Sequence, residues 1–103
     1  MAAGPFDVVD PKLTIYALAN GMDLVKEDDA TRLLTWYRDG RERGIEITPD
    51  PDGAGLTLTA VAWATNKPET RQAAVVRSGV DQDALAAKLS DSLEDVMEAA
   101  NGL

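Results

Sequence analysis

The sequence predicts an α+β fold: two N-terminal helices, a small antiparallel three-stranded sheet and a C-terminal helix. A longer β-meander closed by the same C-terminal helix is the alternative. Three stretches carry this expectation. Residues 56–78 hold two runs rich in β-branched and apolar residues around Asn66-Lys67-Pro68. Residues 85–100 hold an apolar stripe at helical spacing. Asp10-Pro11 offers a helix cap followed by Pro at the first helical position, where its missing N–H costs nothing.

Taken in order, residues 1–9 predict a flexible arm at the head of a single domain spanning 1–103, pinned by Phe6 or Val8. Ile15, Leu18, Ala19, Met22 and Val25 recur every three or four residues, which predicts a helix within 12–26. Gly21 interrupts that stripe, and Asn20-Gly21 also has the composition of a hairpin turn. Asp28-Asp29 suits the positive end of a second helix, with Ala30, Leu33, Leu34 and Tyr37 on one face. Asp39-Gly40 either closes that helix or turns a hairpin joining 33–38 to 41–48. The region 32–48 is therefore helical, or a hairpin, on sequence grounds. Residues 44–48 alternate as a half-buried strand, and 49–55, with two Pro and two Gly, form a loop.

The two central runs are apolar on both faces, as strands buried on both sides are. Setting Trp63 opposite Ala73 and Val61 opposite Val75 puts Leu58, Ala60, Ala62, Ala74 and Val76 on one face. The other face then carries Val61, Trp63, Ala73 and Val75, rimmed by Thr57, Thr59, Thr65, Arg71 and Arg77. After Gly79, Asp81 caps a last helix whose stripe is Leu85, Leu89, Leu93, Val96 and Ala100. Asp91, Glu94, Asp95 and Glu98 lie on its opposite side.

Composition narrows the chemistry. The 103 residues include no Cys and no His. Disulfides, thiolate nucleophiles and imidazole bases or ligands are thereby excluded. The net charge of −8 opposes nucleic acid and anionic membrane surfaces as partners. No signal peptide or membrane-spanning run is expected, so a cytoplasmic location follows. The loop from Thr48 through Asp50 and Asp52 to Gly53 copies part of a calcium loop, but Thr59 stands where the closing Glu belongs. Asp28 with Asp29, and Asp50 with Asp52, are explained by caps and solvated turns rather than acid–base work. Ser78, Ser90 and Ser92 have no base to activate them, and the glycines match no phosphate-binding pattern. No enzyme, metal or cofactor is expected.

What remains is a small acidic protein-interaction module or subunit that self-associates through a sheet face. Its interface residues are Val61, Trp63, Ala73, Val75, Arg71 and Arg77, which combine an apolar centre, an aromatic anchor and an Arg-bearing rim. Its partner is another protein or a second copy in a homodimer. The alternative is an acidic inhibitor of a basic target (an immunity protein, antitoxin or nucleic-acid mimic). Asp91, Glu94, Asp95 and Glu98 would then be its docking strip. Arg32, Arg38, Arg41 and Arg43 surround Trp36 and Tyr37. They either lay their stems on apolar surface or form an anion site.

Overall fold

The computed structural model describes residues 6–28, 30–50 and 55–103. Residues 1–5 of the expected arm, Asp29 of the expected second cap, and 51–54 of the loop with Asp52 and Gly53 lie outside them. The element order is α1 (Asp10–Asn20), β1 (Asp23–Asp28), β2 (Thr31–Arg38), β3 (Arg41–Pro49), β4 (Leu56–Ala64), β5 (Lys67–Val80), α2 (Gln82–Ala87) and α3 (Leu89–Asn101). The strands form one antiparallel meander in the order β1-β2-β3-β4-β5. This is the longer meander, with a C-terminal helix, that stood as the alternative. The three-stranded sheet behind two N-terminal helices is corrected to five strands behind one.

The correction has local causes. Gly21 sits at φ 65°, and Met22 N–H donates to Ala17 O, so α1 ends there. That conformation suits glycine and stops a helix. Met22 still enters the core, but Val25 belongs to β1. Asp39 and Gly40 both have positive φ, 55° and 79°, and join Arg38 to Arg41 as a two-residue turn. Only the primed turn that matches the strand twist needs two such residues. The expected second helix is thus β2. Its neighbouring apolar residues divide between faces, Leu34 and Trp36 to one and Leu33 and Tyr37 to the other.

Asp10 does not cap α1. It lies inside the first turn, and its carboxylate instead receives Arg32. Phe6 and Val9, in the segment expected to be an arm, are buried, whereas Val8 is exposed.

One face of the sheet holds the main core. Leu34, Ile45, Ile47, Leu56, Leu58 and Ala60 pack with Phe6, Val9 and Leu13, and with Leu85, Leu89, Leu93, Val96 and Ala100. The α3 helix lies across β3 and β4, and α1 lies beside it against β1. The whole expected stripe of the last helix is buried. Asp81 caps the segment by accepting from Ala84 N–H at 3.1 Å. A break at Lys88 divides the segment into α2 and α3. Among the described residues, no helix is long and apolar enough to cross a membrane.

The β4–β5 hairpin turns tightly at Thr65-Asn66, with Asn66 at φ 64°. The register is Val61 opposite Ala73 and Thr59 opposite Val75, two residues from the expected pairing. A two-residue slide keeps the face assignments as far as the next bulge, where a slide of one would invert them. The slide arises where the ladder breaks between Ala62 and Ala64. There Thr70 Oγ1 accepts the Ala64 N–H at 2.8 Å and donates to Lys67 O at 2.7 Å. A second bulge at Val76 precedes Arg77.

Truncating Leu89 to Ala should cost about 2–5 kcal/mol, the usual range for a buried Leu. Urea unfolding followed by circular dichroism checks this. A loss under about 1 kcal/mol would remove α3 from the core.

Candidate protein-interaction face

Among the described residues, the second face of the sheet carries no helix. Successive cross-strand rows build it: Val25, Leu33, Glu46, Thr59 and Val75 in one, and Asp23, Thr35, Gly44, Val61 and Ala73 in the next. Val61 is fully buried here. The cause is Gly44, directly opposite it. A Cβ on Gly44 would stand 3.0 Å from Val61 Cγ2 and 3.1 Å from Leu33 Cδ1. Glycine therefore lets Leu33 and Val61 close over the backbone, a tight approach of the kind glycine permits in strands.

Beside this patch, Trp63 is half-buried, and Arg71 Nη2 meets Glu46 Oε2 at 2.6 Å. Trp63, Leu33, Pro68, Arg71 and Glu27 surround a hollow of about 220 Å³. Val75 is 66% exposed and Val25 42%. Of the expected interface residues, Val61, Trp63, Ala73, Val75 and Arg71 share this region. Val61 forms its floor rather than its surface. Arg77 does not join them. The bulge at Val76 turns Arg77 to the helix side, where it pairs with Asp95 of α3. Ala74, expected in the core, is exposed, while Val76 packs on the core edge. Val25 and Leu33 do not stand out because helix and hairpin both fit 12–26 and 32–48 on sequence grounds, and Gly44 shows only as the start of a strand. The Asp39-Gly40 turn was the signal that would have placed them.

The sheet edges are poorly suited to pairing. The β1 strand is short, bulged between Lys26 and Asp28, and rich in charge. Along β5, Pro68, Arg71, Arg77 and three register breaks interrupt the free edge. Such features oppose strand addition.

The arginines serve separate structural roles. Arg32 is buried, forks onto Asp10 at 2.8 and 3.1 Å, and lies 4.4 Å over the Phe6 ring. Arg43, also buried, donates to Ala100 O at 2.6 Å and Arg38 O at 3.1 Å. It thus puts a cation at the carbonyl end of α3, where the helix dipole favours one. Arg41 donates to Leu103 O at 3.1 Å, and Arg38 is exposed beside Asp39 at 3.5 Å. The Arg38 head is therefore wet, whereas the guanidinium groups of Arg32 and Arg43 are enclosed.

Asp91, Glu94, Asp95 and Glu98 are all exposed, and Asp95 pairs with Arg77. Burial and the nearby Glu94 charge push the Tyr16 hydroxyl above its ordinary pKa. Asp50 accepts from Thr57 Oγ1 and, at 2.7 Å, from Gly79 N–H, tying the end of β3 to β4 and β5. Among the described residues, no group of three or more carboxylates is placed to hold a metal ion.

Comparison with family models, curated proteins and solved structures finds no match.

Arg43→Leu should cost about 1–3 kcal/mol, because it strips donors from enclosed carbonyls. Arg38→Ala should change stability by less than about 0.5 kcal/mol. Paired urea melts check this contrast, and equal losses would contradict the assigned roles.

Proposed function

We propose that this protein is a cytoplasmic protein-interaction module, not an enzyme, and that it self-associates through its open sheet face. The observation that carries this reading is the one-sided cover of the sheet. Val75 and Val25 stand exposed on either side of Leu33 and Val61, with Trp63 beside them. Interfaces favour a partly buried aromatic anchor within such a patch, bordered by polar groups. Glu46 and Arg71 supply that polar border already paired, so closing a partner over them strands no single charge. A symmetric dimer is the simplest assembly of one such surface with itself.

Net charge favours a second reading, in which the protein neutralises a basic target. The chain carries −8, and Asp91, Glu94 and Glu98 line the exposed side of α3. A complex through that strip would weaken steeply with salt. One through the sheet face would barely respond.

Light scattering coupled to gel filtration should give twice the 11.0 kDa chain mass. Trp63→Arg should return a folded monomer. The outer side of α1 also exposes Ile15 and Leu18, so Leu18→Lys serves as the control and should leave the dimer intact. A wild type that stays monomeric across the micromolar range would contradict the proposal. So would a dimer dissolved by Leu18→Lys but not by Trp63→Arg.

A further inference from the structure

At one end of the helical layer, the exit of α1, the end of β2 and the last turns of α3 leave a cleft of about 530 Å³. That volume lies within the roughly 300–1,000 Å³ of small-molecule sites. Its apolar lining is Met22, Met97 and half-buried Trp36. Methionines suit varied ligand shapes because they are unbranched and polarisable. Gly21 opens one side: a Cβ there would meet nothing within 4 Å, and its φ of 65° disfavours any side chain.

Two polar groups converge on this lining. Trp36 Nε1 donates to Asn101 Oδ1 at 3.0 Å. An indole nitrogen can only donate, which fixes the amide orientation and leaves Asn101 Nδ2 as a donor. Arg38 is the charged group among the described residues lining the cleft. Its contact with Asp39 is a long surface pair at 3.5 Å, which holds it weakly. The carbonyls of Ala100 and Leu103, whose negative ends would repel an anion, are already taken by Arg43 and Arg41.

We propose that this cleft binds a small amphiphilic carboxylic acid. Its apolar body lies on Met22, Met97 and Trp36, and its carboxylate accepts from Arg38 and Asn101 Nδ2. This site is separate from the open sheet face and does not depend on its role in self-association.

The test uses the full chain labelled with nitrogen-15 and three probes of one shape: 3-phenylpropionate, 3-phenylpropan-1-ol and 3-phenylpropylamine. The two tryptophans report separately, since Trp36 borders the cleft and Trp63 the sheet face. The acid should shift the Trp36 indole resonance saturably and leave that of Trp63 in place. It should bind about tenfold more tightly than the alcohol, as one charge-assisted contact warrants. Arg38→Ala should reduce the acid to the alcohol's affinity. Asn101→Asp keeps an acceptor for Trp36 but adds a negative charge, so it should weaken the acid and strengthen the amine. The proposal is overturned if the Trp36 indole shows no saturable shift at millimolar acid. Equal affinity for acid and amine in the wild type would also overturn it, as would a shift confined to Trp63.

Discussion

The fold depends on α3 lying across β3 and β4. Leu89, Leu93, Val96 and Ala100 meet Ile45, Ile47, Leu58 and Ala60 there. Burial of apolar surface is the main favourable term in folding, and this contact joins the end of the chain to its middle. Two enclosed cations hold the layer in place. Arg43 binds the carbonyl end of α3, and Arg32 ties β2 to the first turn of α1 through Asp10. Both arginines project from the helix-facing side of the sheet, so the same alternation that builds the core also aims them.

Helices packed on one face leave the other face to cover itself, and it does so only in part. Gly44 lets Leu33 close over Val61, and the Arg71–Glu46 pair and Trp63 stand beside that patch. The result is a small second core with a buried floor and apolar flanks at Val25 and Val75. Leu33, Glu46 and Thr59 separate those two exposed valines along one cross-strand row. The blunted edges of β1 and β5 oppose strand addition.

Much of this was legible in the sequence wherever a single period dominated. The leucine stripe of α3, the Asp81 cap and the faces of β4 all follow from regular spacing. The segment from Asp23 to Arg38 was not legible in that way. Ala30, Leu33, Leu34 and Tyr37 fit one side of a helix, yet the same residues fit a strand carrying apolar groups on both faces. The turn chemistry of Asp39-Gly40 discriminated better than the periodicity did, because two consecutive positive φ values belong to a tight hairpin. Arg77 could not be placed from the sequence. A bulge adds one residue and reverses the alternation beyond it, and nothing in the composition around Val76 announces one. The cleft beside Trp36 is equally hidden, since it is assembled from three elements, one of which fits a helix or a hairpin on sequence grounds.

The central claim is that one sheet face is core and the other is a surface awaiting a partner. Solvent paramagnetic relaxation of methyl groups, measured on the wild type and on Trp63→Arg, tests it most directly. The Ile45 and Leu58 methyls should stay silent in both proteins. The Val75 and Val25 methyls should relax strongly in Trp63→Arg and become shielded in the wild type as its concentration rises. Val75 relaxing equally in both at every concentration would contradict the account of the open face, and strong relaxation at Ile45 or Leu58 would contradict the fold itself.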